Sequence, residues 1–314
     1  MDYLGIILGL FFLVKGGDML MRSAVSLSLN LNISKIVIGM TVVSFATSAP
    51  ELIVSIKAAS QGYPDLALGN VIGSNIANLG LVMGIVILIS PIKVTSSFYK
   101  IDWPMMIFAS LIFYFFIVND NILSQFEGGL MFVFLIVFLI VILFFKKNTI
   151  SYQVDEPMGE ALGKSKTFLY LTLGGFFLWL GSEILIKAAV DLATEWGVGE
   201  RIISISVVSI GTSIPELSAS LIAIYNKEKA ISIGNLIGSN IFNILAVMGI
   251  TSLIRPIEVT DLDLINKDFL WMLFISFLIF PLVFFPIKMR LGAIEGFILI
   301  GIYIFFLLQM FFKI

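Results

Sequence analysis

The sequence predicts an all-α membrane protein: ten transmembrane helices arranged as two inverted five-helix repeats. Three observations carry this. Of the 314 residues, 59% are hydrophobic and only 13% charged, whereas a soluble domain is nearer half apolar and a quarter charged. Ten runs are apolar and long enough to cross a bilayer. The second half of the chain also repeats the first at a constant offset of 165 residues.

The runs fall near 3–28, 35–60, 66–91, 102–118, 128–146, 167–193, 201–225, 231–256, 268–286 and 292–312. The first is the weakest, interrupted by Lys15, Asp18 and Arg22. It is expected to be retained, because MDYLG lacks the basic start of a cleaved signal peptide. The polar stretch 147–166 reads as a cytoplasmic linker between a first repeat (1–146) and a second (167–314). Its Asp155, Glu156 and Glu160 are expected to be solvated.

Loop charges orient the chain. Eleven basic residues fall on one side: Lys35, Lys93, Lys100, Lys146, Lys147, Lys164, Lys166, Lys227, Lys229, Lys288 and Arg290. Five fall on the other: Lys57, Arg201, Arg255, Lys267 and Lys313. The richer side is then cytoplasmic and both termini lie outside. The short loops favour a prokaryotic plasma membrane.

At the shift of 165, "FFLVKGGDML" (11–20) lies on "FFLWLGSEIL" (176–185), and "GNVIGSNIAN" (69–78) on "GNLIGSNIFN" (234–243). Nearly half the positions of 36–94 are identical in 201–259. Five spans is an odd number, so the two copies insert in opposite directions. Inverted repeats of this kind mark secondary transporters, whose ion sites lie near the bilayer midplane.

The chemistry concentrates in "TSAPEL" (47–52) and "TSIPEL" (212–217). A proline inside a helix removes one N–H donor, so Pro50 frees the carbonyl of Ala46 and Pro215 that of Gly211. Freed carbonyls in lipid need a partner, and a cation would serve. Glu51 and Glu216 put negative charge directly after each proline, with hydroxyls from Thr47, Ser48, Thr212 and Ser213 alongside. A kinked helix with a snorkelling glutamate is the blander reading. The mid-span position of both residues and the repetition of the whole motif argue against it.

Ser74 and Asn78 are four apart and share a helix face, as do Ser239 and Asn243. Asn75 and Asn240 suit a helix turn, a bond between helices or an ion contact equally well. Gly69, Gly73, Gly80, Gly84, Gly234, Gly238 and Gly249 are expected to serve close helix packing.

There is no cysteine and no histidine, which excludes disulfides, thiolate sites and the usual general base. An enzyme is the least favoured class, since no phosphate or cofactor loop is present and no cofactor is expected. The net charge of −2 gives no reason to expect nucleic acid as a partner. All-oxygen ligands select hard cations, and a flexible cage of six to eight oxygens suits Ca²⁺ better than Mg²⁺.

These motif pairs resemble the α-repeats of the calcium/cation antiporter superfamily, and within it the sodium/calcium exchangers, over essentially the whole chain. The resemblance implies that Glu51 and Glu216 bind Ca²⁺ with the carbonyls of Thr47 and Thr212. It implies flanking Na⁺ pockets formed with Ser48, Ser213, Ser74, Ser239 and the carbonyls of Ser44 and Ser209. Asn78 and Asn243 match the family's central amide or acidic positions. Some members carry Asp where this chain has Asn243, and its absence argues against the potassium-dependent branch.

Two ionised glutamates neutralise one Ca²⁺, so the family's three-for-one exchange would move one net charge, coupled to voltage at roughly 2.3 kcal/mol per 100 mV. An empty site holds two like charges in low dielectric, which penalises crossing without a cation or proton. Partners are thus Ca²⁺, Na⁺ and membrane lipid, for a protein expected to act as a monomer. A proton/calcium antiporter is the nearest alternative and a cation channel a more distant one. Asp18 and Arg22 are expected to pair along their helix, and Glu183 and Lys187 along theirs.

Overall fold

A computed structural model describes residues 2–146, 162–195 and 209–312. Its helices are α1 (Asp2–Leu31), α2 (Lys35–Thr47), α3 (Ala49–Ser60), α4 (Pro64–Ile89), α5 (Phe98–Val118) and α6 (Gln125–Lys146). The second half supplies α7 (Lys164–Glu195), α8 (Ser209–Thr212), α9 (Ile214–Tyr225), α10 (Lys229–Ile254), α11 (Leu264–Phe284) and α12 (Ala293–Phe312). Two-residue strands β1 (Ile92–Lys93), β2 (Ile122–Leu123), β3 (Ile257–Glu258) and β4 (Arg290–Leu291) lie between them.

Among the described residues eight helices are long and apolar enough to span a membrane, and α2 with α3 makes a ninth as one broken span. The protein is an integral membrane protein. The expected run 201–225 is seen only as α8 and α9, its residues 201–208 lying outside the described part. Helix α7 begins at Lys164, so Lys164 and Lys166 belong to a helix and not to the linker. Residues 147–161 of that linker, with Asp155, Glu156 and Glu160, also lie outside the described part.

The prolines act as helix starters and not as kinks. Helix α2 stops at Thr47, Ser48 turns with φ −84° and ψ 1°, and Pro50 stands in the first turn of α3. Ser213 repeats the turn with φ −88° and ψ 1°, and Pro215 opens α9. The first turn is where a missing N–H costs no helical hydrogen bond.

The helices gather into two compact units, each drawing on both halves of the sequence. The first comprises 1–47 and 141–235. In it α1 packs along the length of α7. A Cβ on Gly16 would lie 2.7 Å from the amide nitrogen of Leu178, and one on Gly174 2.6 Å from that of Leu20. Farther along, a Cβ on Gly181 would meet the Gly9 carbonyl at 2.8 Å. The pairs Gly9–Gly181 and Gly16–Gly174 exchange with each other under the shift of 165. These backbones approach as closely as glycine allows. Leu13, Leu20, Met21, Ala24, Val43 and Leu178 fill the space around them.

Asp18 pairs with Arg22 at 2.9 Å as expected, whereas Glu183 and Lys187, both exposed, form no such pair. Lys35, read from sequence as a loop charge, is instead largely buried and meets Glu228 at 2.7 Å.

The second unit comprises 48–140 and 236–314. Strand β1 pairs with β4 and β2 with β3, both antiparallel. Thus each strand of one half pairs with a strand of the other. The glycine contacts cross in the same way: a Cβ on Gly84 would lie 3.2 Å from the carbonyl of Gly296, and one on Gly128 2.8 Å from that of Gly249. The last helices also start alike, with Glu127 accepting from the Ser124 N–H at 2.9 Å and Glu295 from the Gly292 N–H at 2.7 Å. Of the glycines expected to serve packing, Gly69 has only an ordinary contact, with Leu264 at 3.6 Å.

Candidate functional site

Eleven of the twelve expected ligand residues are buried: Ser44, Thr47, Ser48, Glu51, Ser74, Asn78, Thr212, Ser213, Glu216, Ser239 and Asn243. The twelfth, Ser209, opens α8, and its side chain lies outside the described part. Both glutamates are 0% exposed. A chain keeps two carboxylates out of water only where something offsets the desolvation. Among the described residues no group of three or more His, Cys, Asp or Glu side chains is placed to hold a metal ion.

In the first unit, α9 carries Glu216 and packs against the Ser44–Thr47 turn of α2. Helix α2 loosens into a π-helical turn over Gly39–Val43 just before it. The Ser44 hydroxyl lies 2.8 Å from the Gly39 carbonyl and 3.1 Å from the Asn235 carbonyl. Thr47 Oγ1 lies 3.2 Å from Asn235 Oδ1 and 3.3 Å from the Ser44 carbonyl. The amide nitrogen of Asn235 donates to Ser220 Oγ at 3.2 Å. Asn235 thus ties the α2 break to α9. Ser213 Oγ is buried and has no hydrogen-bond partner among the described residues.

One expectation is corrected here. The Gly211 carbonyl, which Pro215 leaves without a helical donor, accepts from Ser182 Oγ of α7 at 3.0 Å. That carbonyl needs no cation. The shift of 165 puts Gly17 where Ser182 stands, so the repeat offered no signal for it.

In the second unit, α3 carries Glu51 and packs against α4 and the π-helical turn Asn243–Met248 of α10. Helix α4 has a matching turn over Asn78–Val82. Each central asparagine therefore opens a stretch of widened helix, where the carbonyls are displaced from the regular ladder. Asn70 donates to the Glu51 carbonyl at 3.3 Å and to Ser55 Oγ at 3.0 Å, and Ser74 donates to the Asn70 carbonyl at 2.7 Å. Asn243 donates to Asn75 Oδ1 at 3.1 Å. Asn75 therefore bonds between helices. Asn240 instead donates along its own helix, to the Leu236 carbonyl at 2.7 Å. Ser48 Oγ, both amide atoms of Asn78 and Asn243 Oδ1 are buried without a hydrogen-bond partner among the described residues. Native proteins leave few such groups, and each marks a place where a polar ligand or water belongs.

The supporting residues Asn70, Asn235, Ser55 and Ser220 were absent from the expected ligand set. Their signal was present, since each recurs in the other repeat at the same shift of 165.

Comparison with known proteins agrees with this chemistry. The family model described as "Sodium/calcium exchanger protein" matches residues 1–144 and 166–312. The chain is 38% identical to a putative antiporter, CaxA, of Alkalimonas amylolytica, over 80% of each protein. It is 30% identical to the sodium/calcium exchanger MaX1 of Methanosarcina acetivorans, over 99% of each. Among solved structures it superposes on the sodium-calcium exchanger NCX_Mj soaked with Na⁺ and Ca²⁺, with a TM-score of 0.82. That match has 25% identity and covers 98% of each chain. An integral membrane protein with two buried Pro-Glu helix starts, matched in both halves by this family, is a cation exchanger by family. The chain belongs to the sodium/calcium exchanger family, within the calcium/cation antiporter superfamily.

Proposed function

We propose that this cation/Ca²⁺ antiporter exchanges Na⁺ for Ca²⁺ by alternating access, moving net charge in each cycle. The observation that carries the reading is the pair of wholly buried glutamates, each in the first turn of a helix restarted by proline. In this reading Glu51 and Glu216 supply the two negative charges that Ca²⁺ requires. The carbonyls of Thr47 and Thr212 complete its shell. Ser48, Ser213, Ser74, Ser239 and the carbonyls of Ser44 and Ser209 serve Na⁺, and Asn78 and Asn243 contribute neutral central oxygens. The likeness to MaX1 and to NCX_Mj, both called sodium/calcium exchangers, supports Na⁺ as the driving ion.

The architecture we infer is ten helices in two inverted repeats. The strand pairs β1–β4 and β2–β3 flank α5, one before it and one after it. Exchanging the repeats turns one pair into the other, as a two-fold axis in the membrane plane requires. Lys93 pairs with Arg290 in one sheet, in keeping with a basic cytoplasmic face and both termini outside. The protein acts as a monomer in a prokaryotic plasma membrane.

The test is radioactive Ca²⁺ uptake into proteoliposomes loaded with Na⁺, K⁺ or choline at one fixed pH. Uptake confined to Na⁺-loaded vesicles is expected. Equal uptake in all three would exclude Na⁺ as the driving ion, and uptake that then requires an imposed pH gradient would make the protein a proton/calcium antiporter. Uptake without either gradient would make it a channel.

A further inference from the structure

Asn75 is 1% exposed, lies on α4, and belongs to none of the ligand assignments above. Its amide is held at both ends. The nitrogen donates to the backbone carbonyl of Asn240 at 3.4 Å and faces Met272 Sδ at 3.6 Å. A backbone carbonyl can only accept, and a thioether sulfur is a weak acceptor. The NH₂ end of Asn75 must therefore point that way, and its oxygen the other. That oxygen is 3.1 Å from Asn243 Nδ2, so it dictates which end of Asn243 it meets. Asn243 has to present its NH₂ to Asn75 and keep its carbonyl oxygen turned elsewhere. That oxygen is buried and has no hydrogen-bond partner among the described residues.

An asparagine amide can flip, and its two faces have opposite consequences for a cation. The oxygen coordinates, whereas the NH₂ repels. We propose that Asn75 is a positioning residue: it locks the Asn243 amide so that an oxygen, and never the NH₂, faces the transported cation. The inference rests on the reading that Asn243 lines the ion site. The repeat supplies a contrast. The mates of Asn75 and Asn243 are Asn240 and Asn78, and the corresponding bond is not made. Asn240 Oδ1 and Asn78 Nδ2 are both buried without a hydrogen-bond partner among the described residues. The two central amides are thus not equivalent, and the fixed one is Asn243.

The test is a mutant cycle read as Ca²⁺ affinity, from Ca²⁺-dependent thermal stabilisation of the full-length purified protein. An acceptor-free Asn75→Ala is expected to weaken Ca²⁺ about tenfold, the order of one lost buried hydrogen bond. In the N243D and N243A backgrounds no orientable amide remains, and adding N75A is expected to change affinity by less than about twofold. N75D keeps an acceptor for Asn243 and is expected to bind Ca²⁺ at least as tightly as the wild type. An equal loss from N75A in all three backgrounds, or weakened binding in N75D, would overturn the proposal by making Asn75 a packing residue. A wild-type protein that shows no Ca²⁺ stabilisation would instead overturn the functional reading beneath it.

Discussion

Asn70 donates its side-chain N–H to Ser55 Oγ at 3.0 Å, and its repeat mate Asn235 donates to Ser220 Oγ at 3.2 Å. In each half, the helix that starts with Pro-Glu is tied by this bond to the helix that follows it. The two ties are not equally buried: Asn235, which also accepts from Thr47, is 1% exposed, whereas Asn70, which also donates to the Glu51 carbonyl, is half-buried. Removing a buried partner leaves its mate unsatisfied at a cost of about 1–3 kcal/mol. Asn235→Ala is expected to lower the unfolding temperature of the purified protein more than Asn70→Ala. Equal shifts would mean that the deeper burial of Asn235 adds nothing to the cost of its lost bonds.

Glu51→Gln and Glu216→Gln each keep the shape of the side chain and remove its charge. Ca²⁺ would then face one negative charge in a low-dielectric interior instead of two. Each variant is expected to abolish Ca²⁺ uptake while retaining a folded, monodisperse protein by size-exclusion chromatography. Robust flux in either one would remove that glutamate from the site.

The α1–α7 contact has no room for a methyl group. A Cβ on Gly16 or Gly174 would press on main-chain nitrogens at 2.7 and 2.6 Å, and main chain cannot turn aside as a side chain can. Gly16→Ala and Gly174→Ala are each expected to destabilise by about 1–3 kcal/mol. Gly69→Ala meets only a flexible leucine tip at 3.6 Å and serves as the control. Thermal unfolding in detergent discriminates them, and a Gly16→Ala protein as stable as the control would contradict the close approach.

Ser182→Ala takes away the hydroxyl that the Gly211 carbonyl accepts from. A loss of about 1–2 kcal/mol is expected for a carbonyl stranded out of water. Because the first repeat has Gly17 at the matching place, no equivalent bond is lost there. A thermal melt of S182A indistinguishable from the wild type would show that something else satisfies that carbonyl.

Much of this molecule is written into one dimension. Apolar runs, proline positions and a repeat at a fixed shift of 165 are properties of the chain itself. They determined the membrane class, the helix interruptions at Pro50 and Pro215, and the pairing of Glu51 with Glu216 as counterparts. Hydrogen-bond partners are another matter, since a side chain's neighbour depends on which distant helix packs beside it. Ser182 reaching Gly211, Asn75 rather than Asn240 holding a central amide, and Lys35 meeting Glu228 all break the repeat. Sequence symmetry could not announce them. The two copies differ in sequence around their shared motifs and meet different neighbours, so identical residues such as Asn75 and Asn240 come to make different bonds. Only the tertiary structure decided which of each pair was engaged.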